Sequence, residues 1–227
     1  MSEIAKIHAK LADGRDLFYF DDRGSKLPAE RKPDSRDLPE RPAVAQMRLD
    51  SLTGEWVSVA AHRHGRAHLP PAHQCPLCPT TADNLSELPD QFDVAVFENK
   101  SPSFGPNLLA AADSNYAIVP NLELGSVRDS IGRCEVVVFS PEHLGSLGAM
   151  PTNRVRTVIE ALADRTDHLQ TLPGVMQVFP FENRGQDIGV TLHHPHGQIY
   201  AYPFVTPRTT KLLDSISKFG DDLFAET

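Results

Sequence analysis

Gly189-Val190-Thr191-Leu192-His193-His194-Pro195-His196-Gly197-Gln198 runs straight into Ile199-Tyr200-Ala201-Tyr202-Pro203-Phe204, and the reading of this stretch decides the fold. Its second part is β-branched and aromatic, so a strand is expected from about His194 to Phe204. Residues two apart on a strand share a face, which puts His194 and His196 on one side with Cα atoms roughly 6–7 Å apart. Pro195 between them offers no ladder donor, and His193 is expected on the opposite face. A neutral imidazole attacks phosphorus readily and leaves easily from a phosphoramidate. Such a histidine can divide one phosphoryl or nucleotidyl transfer into two steps. The chemistry needs a held tautomer and a donor to the phosphoryl oxygen, and Gln198, two residues beyond His196, is the candidate donor. Spacing alone also fits a polar edge strand with partly buried rings.

The preceding loop, Phe181-Glu182-Asn183-Arg184-Gly185-Gln186-Asp187-Ile188-Gly189, follows the strand-like Val175-Met176-Gln177-Val178-Phe179. Its glycines allow backbone N–H groups close to an anion, and Asn183 and Arg184 are suited to ribose or phosphate oxygens. Upstream, Cys75 and Cys78 have the two-residue gap of a zinc knuckle, and Pro76 and Pro79 disfavour the helix that a redox Cys-x-x-Cys would open. Two thiolates fill half of a tetrahedral site, so two further nitrogen or oxygen ligands must come from elsewhere. His143 and His194 are the candidates, with His73 as the local alternative. Cys134, in the strand-like Arg133-Cys134-Glu135-Val136-Val137-Val138, reads as a small buried hydrophobe. His8, His64, His68 and His168 fit no pattern, and His62 beside Arg63 stays open.

Phe181-Glu182-Asn183-Arg184-Gly185 followed by His194-Pro195-His196-Gly197-Gln198 resembles the N-terminal half of the galactose-1-phosphate uridylyltransferase family, within the histidine-triad superfamily. The resemblance extends through Arg48-Leu49-Asp50-Ser51-Leu52-Thr53-Gly54-Glu55-Trp56-Val57, His62-Arg63-His64-Gly65-Arg66, Cys75-Pro76-Leu77-Cys78, Val96-Phe97-Glu98-Asn99-Lys100 and Phe139-Ser140-Pro141-Glu142-His143. It implies that His196 is the nucleophile that becomes uridylylated, and that Gln198 contacts the transferred phosphoryl group. It also implies that Arg63, Asn183 and Thr191 contact nucleotide phosphates, with Arg66 as a second basic position and Gly189 in the same substrate-binding run. Phe97 and Asn99 fall on the uridine-contacting stretch, where Glu98 and Lys100 depart from the family pattern. The resemblance supports Cys75, Cys78, His143 and His194 as ligands of a structural zinc ion, a support for the strand rather than a Lewis acid.

The implied activity is transfer of UMP between UDP-glucose and galactose 1-phosphate, in galactose metabolism. The alternatives are an adenylyl-transferring phosphorylase of an ADP-sugar or dinucleoside polyphosphate, and a non-catalytic zinc-binding half that needs a partner chain. A triad hydrolase is disfavoured because Gln198 stands where those enzymes carry a third histidine. Family members continue through a second, similar half that contacts the sugar phosphate, and their site forms across a dimer interface. The sequence given stops at Thr227, so a homodimer or a complementing C-terminal-half polypeptide is expected.

The 227 residues carry a net charge of −8 with 40% hydrophobic and 23% charged residues. That argues against a nucleic-acid binder yet allows a local basic pocket built from Arg63, Arg66 and Arg184. Three cysteines, no long apolar run and the polar opening Met1-Ser2-Glu3-Ile4-Ala5-Lys6 make the cytoplasm the expected location. Ile7 to Phe20 reads as a hairpin with a type I′ turn at Asp13-Gly14, and the proline-spaced, charged stretch from Asp21 to Pro42 as a mobile linker. The division is then 1–44, hairpin and linker, and 45–227, the uridylyltransferase-like domain. Val155, Val158, Ile159, Leu162 and Leu169 recur at helical spacing within Pro151–Leu172, as do Leu212, Ile216, Phe219 and Leu223 near the end. Strands near 54–60, 94–98, 134–140, 175–181 and 196–204, often joined without a helix, favour an antiparallel α+β sheet. The resemblance implies a histidine-triad-like half-barrel with flanking helices.

Overall fold

A computed structural model describes residues 4–39, 45–59, 70–105, 126–188, 190–220 and 223–226. Strands β1 (Ala5–Lys10) and β2 (Asp16–Asp21) open the chain, followed by β3 (Gln46–Asp50), β4 (Glu55–Val59), β5 (Val94–Glu98), β6 (Val127–Asp129), β7 (Arg133–Val138), β8 (Gln177–Phe181) and β9 (His196–Tyr202). Six of them form an antiparallel sheet in the order β1-β2-β5-β7-β9-β8, and β4-β3-β6 form a second, small one. The expected antiparallel α+β architecture is what the chain adopts.

Alternation along the strands divides the main sheet into two buried faces. One carries Phe18, Phe20, Val94, Val96, Val137, Phe139, Ile199 and Ala201, and helix α1 (Thr152–Leu169) covers it with Val158, Ala161 and Leu169. The other carries Leu17, Tyr19, Ala95, Phe97, Val136 and Val138 against Cys75, Leu77, Leu88 and Phe92 of the cysteine-bearing loop. Being covered on both sides, β5 reads as an apolar run from Val94 to Phe97 rather than as an alternating strand. Beneath α1, Arg165 makes a two-pronged pair with Glu135 on β7, Nε to Oε2 at 2.9 Å and Nη2 to Oε1 at 2.8 Å. The guanidinium lies 4.0 Å from the centroid of the Phe18 ring. The Phe104 ring meets Tyr200, Tyr202 and Phe204 edge-on, continuing the sheet's second face toward the smaller sheet through Met47.

Several expectations need correction. The hairpin turn is not type I′, which requires positive φ at two central residues: in this turn Gly14 is left-handed, at φ 82°, and Asp13 is not. Gly14 N–H donates to the Leu11 carbonyl and Leu11 N–H to Arg15, the pattern of a three-residue loop closed by a glycine bulge. The hairpin is part of the main sheet, since Leu17 to Phe20 pair with Phe97 to Val94. The expected mobile linker has no helix or strand over 22–39, yet it is tied down. Asp34 accepts from Ala12 N–H and from Arg36, Arg31 pairs with Asp21, and Lys32 N–H donates to Asp90. Charge in this stretch thus marks specific pairing rather than solvation. Helix α2 (Pro207–Phe219) begins a turn earlier than expected, with Pro207 in its first turn, where a missing N–H costs nothing. No residue of α2 is buried, and Phe219 is 78% exposed. A short helix α3 (Leu223–Glu226) follows.

Candidate functional site

The strand reading of the histidine segment holds from His196 onward. β9 lies between β7 and β8, with His196 opposite Val138 and Gln198 opposite both Val136 and Phe181. His196 and Gln198 therefore share the face of Val136 and Phe97 and line a cavity of about 640 Å³ with Asn99, Asn183 and Thr191. Gly197 between them faces the other way, where a Cβ would stand 2.9 Å from Phe139 Cζ and 3.0 Å from the Phe181 carbonyl oxygen. Only glycine lets β8 and the Phe139 ring approach β9 this closely.

His196 has a defined tautomer. Its Nδ1 lies 2.7 Å from the main-chain oxygen of His194, and because a carbonyl only accepts, Nδ1 bears the proton and Nε2 the lone pair. Burial pushes its pKa below the ordinary imidazole value, while the bond to His194 works in the opposite direction. Burial thus favours the neutral ring. A second cavity of about 300 Å³ lies on the other side of His196, lined by Arg184, Gly185, His193 and Pro195 and sharing Asn183, Val190 and Leu192 with the first. His196 is a wall common to both.

His194 departs from the expected shared strand face, because it precedes the strand and its ring is not part of the larger cavity. It is 1% exposed. Its Nδ1 faces Cys75 Sγ at 3.7 Å and Cys78 Sγ at 3.5 Å, and its Nε2 donates to the Ser140 carbonyl at 2.7 Å. His143 Nδ1 stands 3.5 Å from Cys78 Sγ. The ligand atoms of Cys75, Cys78, His143 and His194 all lie within 4.8 Å of one another, a group that can hold a metal ion. The spacing fits a tetrahedral centre, in which sulfur at about 2.3 Å and nitrogen at about 2.0 Å from an ion sit about 3.5 Å apart. Burial holds His194 down at about 4, and burial together with the neighbouring Cys75 pushes the Cys78 thiol up to about 12. The Cys78 thiol in this setting resists ionising without a cation, and a dication inverts that preference. Around the group, Leu77 N–H donates to Cys75 Sγ and Asn84 Nδ2 to the Cys75 carbonyl. His73, the local alternative, is exposed in a short 3-10 turn, Ala72–Gln74, and is not one of the four.

Arg63, Arg66 and Gly189, and with them His62, His64 and His68, lie outside the described residues. Phe97, Asn99, Asn183, Thr191, His196 and Gln198 are brought together around one cavity as expected. Glu87 also lines it and was not expected. Nothing local in Leu85-Ser86-Glu87-Leu88 signals a cavity, since its partners Arg15 and Arg36 come from the start of the chain. Ser140 carries no signal of its own in Phe139-Ser140-Pro141-Glu142-His143, although its carbonyl orients His194.

Residues 35–206 match the family described as galactose-1-phosphate uridyl transferase, N-terminal domain. The chain belongs to this family. It is 42% identical over 218 residues to the galactose-1-phosphate uridylyltransferase of Streptomyces lividans, covering 96% of this chain and 54% of that protein. With the enzyme of the same name from Thermotoga maritima it shares 35% identity over 181 residues, 79% of this chain and 53% of the other. A solved uridylyltransferase structure superposes with a TM-score of 0.59 at 28% identity, over 77% of this chain and 51% of that one. The chain thus spans about half the length of the curated relatives it matches. Among the described residues of this family domain, no helix is long and apolar enough to cross a membrane.

Proposed function

We propose that the chain carries the nucleophilic half of a UDP-glucose–hexose-1-phosphate uridylyltransferase. The observation that carries this reading is His196 itself, its Nδ1 proton engaged by the His194 carbonyl and its ring shared between two cavities. In the first step the Nε2 lone pair of His196 forms a bond to the α-phosphorus of UDP-glucose. The bond to the bridging oxygen breaks, and glucose 1-phosphate leaves with that electron pair. In the second, a phosphate oxygen of galactose 1-phosphate attacks the uridylyl group, the N–P bond breaks to return the lone pair to Nε2, and UDP-galactose departs. Throughout, Nδ1–H stays on the His194 carbonyl, which stabilises the positive charge on the substituted ring. Gln198 donates to the phosphoryl oxygen that gains charge.

On the same reading Asn183, Thr191 and Arg63 bind the phosphates, Arg66 is a second basic position, Gly189 belongs to the substrate-binding run, and Phe97 and Asn99 form the uridine end. Cys75, Cys78, His143 and His194 are assigned to a structural zinc ion, which when bound supplies rigidity and a fixed charge rather than chemistry on the substrate. We assign residues 45–227 to the transferase domain and count the N-terminal hairpin with it, because β2 pairs with β5 in the same sheet. Turnover is assigned to a homodimer or to a complex with a C-terminal-half polypeptide, in the cytoplasm.

Intact-protein mass spectrometry after incubation with UDP-glucose tests the proposal. A UMP-sized increment that maps to His196 and is absent in His196→Asn is expected. Labelling by ADP-glucose instead would replace uridylyl with adenylyl transfer. No adduct from either sugar nucleotide, with metal and nucleotide bound, would make this a non-catalytic half.

A further inference from the structure

The part of the cavity lining formed by Glu87, Phe97 and Asn99 is held by residues from the first forty of the chain. Arg15 is 0% exposed and lies just beyond the hairpin turn. Its Nε donates to Asp13 at 2.7 Å, its Nη1 to the main-chain carbonyl of Glu98 at 2.9 Å, and its Nη2 to Glu87 Oε2. Its guanidinium carbon is 6.0 Å from the centroid of the Phe97 ring. Arg36 holds the other Glu87 oxygen at 3.1 Å while forking onto Asp34, which in turn caps Ala12 N–H. One step further along β5, Glu98 pairs with Arg133 and accepts from Asp16 N–H.

Glu87, Phe97 and Asn99 are cavity-lining residues, and Glu87 N–H also donates to the Pro76 carbonyl between the two cysteines. We infer that Arg15, with Arg36, is a positioning residue for nucleoside binding: it fixes Glu87 and the Phe97–Asn99 end of β5 as one wall of the cavity. The inference rests on the nucleotide reading above and adds residues 4–36 to that site. A lysine cannot replace Arg15, because three partners in three directions call for a planar fork rather than a single ammonium. Asn99 shows what the wall presents. Its backbone N–H is spent on the Cys134 carbonyl and its Oδ1 on Ser101 N–H, so the side-chain amide is oriented before any ligand arrives. The Glu98–Asn99 peptide is held from both sides, its N–H by the Cys134 carbonyl and its carbonyl oxygen by Arg15, so losing Arg15 frees one side of it.

The test is NMR titration of the full chain, metal-replete, with UMP and with ribose 5-phosphate. Both ligands carry the sugar and phosphate, and only UMP carries the base. Arg15→Lys and Arg36→Gln are each expected to raise the UMP dissociation constant about tenfold, the scale of one lost charge-assisted hydrogen bond, while ribose 5-phosphate changes less than about twofold. Arg36→Gln keeps the test open if the buried Arg15 variant fails to fold. Unchanged UMP binding in the folded variants, equal weakening of both ligands, or no UMP binding by the wild type would each overturn the inference. The titration needs no covalent adduct, so a failure of the proposed reaction is read separately by mass spectrometry.

Discussion

Replacing Gly197 by alanine adds one methyl group between the two residues on which the proposed chemistry depends. The new Cβ would stand 2.9 Å from Phe139 Cζ, 3.0 Å from the Phe181 carbonyl oxygen and 3.2 Å from Phe139 Cε1. Gly197 is not among the glycines with positive φ, so the backbone itself accepts alanine and the cost is steric. The Phe139 ring is buried on the face that α1 covers, and the Phe181 oxygen belongs to β8, so neither withdraws freely. Overpacking of this kind costs about 1–3 kcal/mol, offset by about 0.4–1 kcal/mol from the reduced freedom of the unfolded chain. The net loss is about 1–2 kcal/mol, which lowers the melting temperature of a domain this size by about 2–8 °C. Gly148→Ala is the control, because nothing lies within 4 Å of its added Cβ and its φ is not positive either. Thermal and urea unfolding of both variants, followed by circular dichroism, should show Gly197→Ala destabilised and Gly148→Ala within about 0.5 kcal/mol of wild type. Adding Phe139→Leu should recover part of the steric loss, because two of the three close contacts are to that ring. Equal stability of the two alanine variants would refute the packing argument.

Arg165→Met leaves Glu135 buried without its guanidinium and should cost about 3–5 kcal/mol, whereas Arg165→Met with Glu135→Leu should recover most of it; a double variant no better than the single, in urea titrations, would count against this. Cys75→Ser and His143→Ala should each lose bound zinc by elemental analysis and lower the unfolding midpoint, and undiminished zinc in both would remove the proposed ligand set. His196→Ala should abolish the UMP adduct while keeping zinc and nucleotide affinity. A loss of zinc in that variant would place His196 within the metal group instead.

What was legible in the sequence depended on how local the cause was. β9, β5 and α1 were readable because periodicity and residue type act within one element, and the edges moved by only a few residues. The Cys-x-x-Cys loop was legible as half a metal site for the same reason. The type of the first turn was not, because Asp13-Gly14 suits two kinds of hairpin loop and the outcome turns on the Leu11–Arg15 backbone bond. β6 has three residues and owes its existence to pairing with β3, some eighty positions away. In the segment from Asp21 onward charge and proline suggest solvation, whereas Arg31 pairs with Asp21 ten residues back and Arg36 reaches Glu87 across the fold. Glu87 was missed on the same grounds.

The adjacency of His194 and His196 has a mechanical explanation in which one residue serves two neighbours with different atoms. The His194 ring faces both sulfurs and is held from behind by the Ser140 carbonyl, while its own carbonyl receives the Nδ1 proton of His196. A metal ion on the ring would therefore fix the plane of the peptide that selects the tautomer of His196, without approaching the substrate. A ligand change that keeps the metal but tilts the His194 peptide should slow adduct formation more than it weakens nucleotide binding. His143→Cys is the variant to use, since a third thiolate can still complete a tetrahedral site. With zinc retained, single-turnover labelling by UDP-glucose should show a lower limiting rate at an unchanged half-saturating concentration. If rate and affinity instead fall together, the metal group supports the cavity as a whole, and the link through the His194 carbonyl is wrong.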